Sequence, residues 1–155
     1  MLSIDTLMNP RVVTANPQDP VSEVAQRMNQ ASIGAVVLVE GEEFVGIFSE
    51  RDLLTRVVAE GRDPASTDVG SVATRKVVTV SPRASLRECV EALRSHGVRH
   101  LPVVDGRRLV GIIAARDFFE AVAEGLERFI ERARYDEQLR ENLDPFDHLG
   151  GSYGR

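Results

Sequence analysis

An offset of 65 residues lays Val12-Val13-Thr14 on Val77-Val78-Thr79. Without a gap it then carries Pro17 to Pro82, Gly41 to Gly106, Gly46-Ile47 to Gly111-Ile112 and Arg51-Asp52 to Arg116-Asp117. An internal repeat constrains a fold more than any local signal, because both copies must adopt one local structure. Each copy is also too small to bury a comfortable core alone, so the two must pack on each other.

Within the first copy, Asp19-Pro20 is a helix-start signal, and Val21, Val24, Ala25 and Met28 follow the i, i+3, i+4, i+7 spacing of one apolar helix face. The second copy repeats the pattern with Leu86, Cys89, Val90 and Leu93 behind a Ser85/Glu88 capping box. Two short apolar runs follow each helix, 35–39 and 44–48 or 101–104 and 109–113, separated by Glu40-Gly41 or Asp105-Gly106 as hairpin turns. A second helix then starts near Ser49, with Leu53, Leu54 and Val57 apolar, or near Ala114, with Phe118, Phe119 and Val122 apolar. The expected fold is α/β (α+β): two β-α-β-β-α repeats packed sheet to sheet about a pseudo-twofold axis, with a C-terminal helical extension. The boundaries read as repeat 1 over 1–60, a linker over 61–74 with a short helical turn in its second half, repeat 2 over 75–124, and a helix and mobile tail over 125–155.

Composition removes several function classes. One cysteine, Cys89, excludes a disulfide framework, and it aligns with Val24, which makes it a small buried hydrophobe. Histidines 96, 100 and 148 show no metal-ligand spacing, so no metal site is expected. A formal charge of −5 opposes broad attraction to nucleic acid. No apolar stretch reaches the roughly 20 residues that cross a bilayer, and the first residues lack a basic-then-apolar leader, so the expectation is a cytoplasmic chain with no membrane partner. No Ser-His-Asp, Cys-His or paired-carboxylate set shares a junction, and an enzyme ranks last among the function classes.

The junction Gly46-Ile47-Phe48-Ser49-Glu50-Arg51-Asp52 brings a hydroxyl, a cation and a carboxylate to the place where a strand passes into a helix. Ser49 and Asp52 fit a capping box with no ligand involved. In the second copy Ala114 cannot cap, yet Arg116 and Asp117 persist. A carboxylate at such a junction can accept from two ribose hydroxyls, while free N–H groups and an arginine favour phosphate, so a nucleoside or nucleotide meets both demands.

The ordered set of Val12-Val13-Thr14, Val77-Val78-Thr79, Val98 to Asp105, and Gly46 to Asp52 resembles a tandem pair of cystathionine-β-synthase (CBS) domains, also called a Bateman module, over about residues 3–124. That resemblance implies a regulatory sensor of adenosine-containing molecules (AMP, ADP, ATP or S-adenosylmethionine) with no obligatory cofactor, passing occupancy to an effector not identified by the sequence. It implies that Ser49 and Asp52 hold one ribose and Asp117 the other. Val12, Thr14, Val77 and Thr79 border adenine. Arg99 and His100, in the segment that continues through Pro102, serve phosphates, with Lys76, Arg51 and Arg116 as further candidates. The first copy departs from the family pattern with Gly34-Ala35 opposite Arg99-His100, and the second with Ala114. A structural homodimerisation module with degenerate pockets is the competing reading.

Beyond the repeat, Leu126, Phe129, Ile130, Ala133, Leu139 and Leu143 continue a helical apolar stripe up to Asp144-Pro145. Such a helix needs a partner surface, and paired CBS modules associate as dimers through their helices. A homodimer is therefore expected.

Overall fold

The computed structural model describes residues 4–142, with the side chains of 141 and 142 outside the description. It divides into a first unit running to Phe118 and a second beginning at Phe119. The first unit contains α1 (Ile4–Leu7), β1 (Thr14–Ala15), α2 (Val21–Ala31), β2 (Ala35–Glu40), β3 (Glu43–Ser49) and α3 (Glu50–Asp52), which continues as a π-helical turn over Leu53–Val58. Then come α4 (Val69–Val72), α5 (Leu86–His96), β4 (His100–Asp105), β5 (Arg108–Ala114) and the start of α6 (Ala115–Asn142).

Each copy forms the first helix and the hairpin that its periodicity predicts, although Val90, expected on the apolar face of α5, is exposed. The hairpins β2–β3 and β4–β5 turn at Gly41 and Gly106, whose φ values of 65° and 63° are left-handed and favour residues without a Cβ. Val21, Val24 and Met28 of α2 are buried, and so is Cys89 on the same face of α5, where burial pushes the thiol pKa up. The expected box at Ser85 is formed: Glu88 N donates to Ser85 Oγ, and the Glu88 carboxylate accepts from Ser85 Oγ and Ser85 N, which together hold that carboxyl below its usual range. Asp19 does not cap α2. Its carboxylate instead accepts from Asn16 N at 3.1 Å and from Arg27 at 2.8 Å, and the helix starts behind Pro20.

The copies meet through strand edges. β3 pairs antiparallel with β5 at Glu43 and Arg108, giving one five-stranded order β1-β2-β3-β5-β4. The segment entering each copy crosses to the other. Asn9 exchanges backbone hydrogen bonds with Ile112, and Thr74 exchanges them with Ile47. These are one interaction under the 65-residue offset, which is what a pseudo-twofold axis requires. The crossing also accounts for two motif glycines. A Cβ on Gly46 would lie 2.8 Å from the Thr74 carbonyl oxygen, and one on Gly111 would overlap Met8 and lie 3.1 Å from that of Asn9.

One expected strand is reduced. β1 runs parallel to β2, and Val37 N donates to Val13 O at 3.2 Å. In the second copy Pro102 replaces Val37 and has no N–H to give. Val77 to Thr79 therefore form no strand, and only a parallel bridge from Val80 to Val103 remains.

Each second helix buries fewer apolar residues than its spacing predicts. Val57 is buried and Leu53 half-buried, whereas Leu54 is 61% exposed. In α6, Phe118 is buried and Phe119 and Val122 are exposed. The second unit is helical from Phe119 to Asn142, with α6 passing 124 without a break. Leu126, Phe129, Ile130 and Leu139 are exposed along it. Leu143, the Asp144-Pro145 stop and the expected mobile tail lie outside the described residues.

Candidate functional site

Two of the clefts in the first unit join a strand-to-helix junction of one copy to the Val-Val segment of the other. The first, of about 360 Å³, combines Ser49, Arg51 and Asp52 from the first copy with Lys76, Val77 and Val78 from the second. The second, of about 790 Å³, combines Ala114, Arg116 and Asp117 from the second copy with Arg11, Val12 and Val13 from the first. This composition follows from the crossed entry segments, which carry the Val-Val pair of one copy to the junction of the other. Both volumes lie within the range of small-molecule sites.

Asp52 is buried and fully engaged. Its Oδ2 accepts from Ser49 N and from Ser49 Oγ, both at 3.0 Å, while Asp52 N donates to Ser49 Oγ at 3.3 Å. The other oxygen, Oδ1, accepts from Thr74 Oγ1 at 3.4 Å and lies 3.6 Å from Arg56 Nε. Arg56 also donates to the carbonyls of Val72 and Ala73, tying this junction to the end of α4. The capping box is therefore real, and it is built into a wider network.

Asp117 occupies the equivalent position with none of those partners. The offset replaces Ser49 with Ala114, Thr74 with Asn9 and Arg56 with Ala121. Asp117 is exposed and makes no hydrogen bond or ion pair among the described residues. One cleft thus holds a preorganised carboxylate, and the roomier one an open carboxylate.

Arg99, His100, Gly34 and Glu50 line both clefts. Burial pushes the His100 pKa below its ordinary value of 6.5, Arg99 adds to that, and Glu50 and Asp117 oppose it. His100 is accordingly neutral near pH 7.

Among the residues singled out from the sequence, Ser49, Arg51, Asp52, Lys76 and Val77 border the first cleft, Val12, Arg116 and Asp117 the second, and Arg99 and His100 both. Three are not brought to either. Thr14 lies in β1, where its carbonyl accepts from Arg27; Thr79 lines a separate groove with Ser81 and Glu88; Pro102 is fully buried in β4. Sequence reasoning missed Thr74, Arg56 and Glu50. Arg56 carried a signal in its i, i+4 spacing from Asp52. Thr74 carried none, because it reaches Asp52 only through the crossing.

No helix among the described residues is long and apolar enough to cross a membrane. Nor do three or more His, Cys, Asp or Glu residues among them gather in a way that could hold a metal ion.

A family model, CBS domain, matches residues 4–59 and again 69–124. The CBS domain-containing protein YhcV of Bacillus subtilis is 35% identical over 117 residues, covering 76% of this chain and 83% of that protein. A putative signal-transduction protein with CBS domains from Burkholderia ambifaria has a solved structure that is 35% identical. It superposes with a TM-score of 0.68 over 73% of this chain and 83% of that one. A hexameric CBS-CP12 protein from bloom-forming cyanobacteria is 25% identical, with a TM-score of 0.69 over 90% of this chain and 86% of that one.

Proposed function

The chain belongs to the CBS-domain family, and from that premise we propose that it is a regulatory module that binds an adenosine-containing molecule in the clefts between its two repeats. AMP, ADP, ATP and S-adenosylmethionine are the candidate ligands, and occupancy is passed to a partner. Proteins of this family generally act as regulatory, ligand-sensing modules. The observation that carries the finer reading is the twice-built junction. In each cleft a carboxylate at the end of a strand, Asp52 or Asp117, stands with a Val-Val pair from the opposite repeat. A ribose needs an acceptor for its two hydroxyls, and an adenine needs apolar faces with backbone groups at its edge. Basic side chains, Arg99 first among them, supply the phosphate side. No catalytic step is assigned to any residue.

The chain is proposed to act as a homodimer. Support comes from the apolar residues exposed along α6, of which Phe129 is 70% and Leu126 57% exposed, since soluble monomers rarely present apolar patches beyond a few hundred Å². The exposure of these residues also favours a second reading, in which dimerisation is the whole function and the clefts are degenerate.

A thermal-shift panel of AMP, ADP, ATP, S-adenosylmethionine and NADH, with guanosine counterparts, separates the two. A ligand present at about 100 times its Kd adds about 2.7 kcal/mol, a shift of a few degrees in a chain of this size. Adenosine compounds should stabilise more than guanosine compounds. Absence of any shift, with no heat by calorimetry, would leave the dimerisation reading standing.

A further inference from the structure

The two clefts are separated by a wall whose backbone is symmetric and whose side chains are not. Glu50 N donates to Gly34 O at 2.9 Å, and its counterpart Ala115 N donates to Arg99 O at 2.8 Å. The offset thus sets Gly34 against Arg99, Ala35 against His100 and Glu50 against Ala115. One guanidinium and one carboxylate stand where true symmetry would give two of each or none.

Both charges face both clefts. The Glu50 carboxylate occupies the space that a Cβ on Gly34 would take, the same Cβ position lies 3.6 Å from His100 Cε1, and the acid opposes the lowering of the His100 pKa, so both groups stand beside Gly34 in the wall. Among the described residues neither the Arg99 nor the Glu50 side chain has a hydrogen bond or ion pair. With His100 neutral, the wall carries one positive and one negative charge.

From this arrangement we infer that the clefts share a single anion-binding wall, so that each chain takes one phosphate-bearing nucleoside at a time, with Glu50 as the residue that excludes the second. The inference rests on the nucleoside reading above and deepens it. A phosphate entering from either side draws the Arg99 guanidinium to itself, because one planar fork cannot serve two phosphates on opposite faces. The other cleft is then left with the Glu50 carboxylate and without the Arg99 guanidinium, and like charges at close range repel. A nucleoside without phosphate has no such conflict, so the second cleft stays open to it. Arg51 and Lys76 on one side and Arg11 and Arg116 on the other belong to single clefts and do not set the exclusion.

Equilibrium dialysis of adenosine and ADP against the full chain tests this. The wild type should bind one ADP, and the ADP-saturated chain should still take up adenosine. Glu50→Ala, which copies Ala115, should bind a second ADP at least about tenfold more tightly than the wild type does. Glu50→Gln keeps the shape, loses the charge, and should behave in the same way. Two ADP of equal affinity per wild-type chain would overturn the shared wall, as would a single ADP that stays single in both variants. Failure of adenosine and ADP alike to bind the wild type and the variants would overturn the nucleoside reading itself, and the wall with it.

Discussion

Glu43 pairs antiparallel with Arg108, the residue 65 positions further on, so each of the two faces its own counterpart. Only an axis passing between them can produce such a pair. The flanking bonds obey it as well: Phe44 N donates to Arg107 O at 2.9 Å and, by the same operation, Leu109 N donates to Glu42 O at 3.5 Å.

The glycines at the crossings are a direct test of this geometry. Gly46→Ala brings a methyl against the Thr74 carbonyl, a backbone atom that cannot rotate aside, and Gly111→Ala meets Met8 and Asn9. Each should lower unfolding stability by about 1–3 kcal/mol in urea titrations. Gly41→Ala has open space around it and only the left-handed turn to strain, so it should cost about 1 kcal/mol. Equal effects at Gly41 and Gly46 would count against the crossing.

Asp52 and Asp117 should respond differently to removal. Asp52→Ala breaks the capping box and the Thr74 and Arg56 contacts, so it should lower the melting temperature of the ligand-free chain by several degrees, corresponding to about 1–2 kcal/mol. Asp117→Ala removes a carboxylate without partners and should leave the melting temperature near the wild-type value. Both should weaken adenosine binding about tenfold in their own cleft. If calorimetry gives unchanged affinity for Asp52→Ala, its role is confined to capping.

Acidification should destabilise the chain through the half-buried imidazole of His100. Because the folded-state pKa of His100 lies below the ordinary 6.5, the unfolded chain takes up a proton in a pH range where the folded chain does not. Stability is unaffected by this group well above pH 6.5 and falls as pH drops below it. Between about pH 7.5 and about pH 5.5 the melting temperature of the wild type should decline more than that of His100→Gln. Parallel declines would show that His100 titrates alike in both states.

Truncation after Glu124 removes most of the exposed apolar residues of α6. Light scattering at micromolar concentration should give a dimeric mass for the full chain and a weakened dimer for the truncated one. A monomeric full chain would refute the proposed homodimer, and an unchanged dimer would place its interface elsewhere.

The repeat, the hairpins, the helix face of α2 and the box at Ser49 were legible because they rest on short-range spacing, whereas on α5 Cys89 is buried and Val90 is exposed. What escaped were the consequences of contact between distant segments and of single backbone atoms. Thr74 joins Asp52 across 22 positions through the crossing, and no periodicity announces it. The loss of a strand at Val77 to Thr79 depends on one missing N–H, at Pro102. Leu54 and its counterpart Phe119 both face outward, one in a π turn and the other in an α-helix, so the buried stripe of each second helix is narrower than an i, i+3, i+4 template predicts.

The crossed entry segments have a consequence for ancestry and assembly. Cut into separate polypeptides, neither half would hold its own Asn9 or Thr74 segment, since each is bonded to the opposite half. A lone half could satisfy those bonds only by trading segments with an identical molecule around a true dyad. The tandem chain thus has the arrangement of an exchanged pair joined in one polymer. Within one polymer the two sides can differ, and Glu50 opposite Ala115 with Arg99 opposite Gly34 are differences that two identical molecules could not encode.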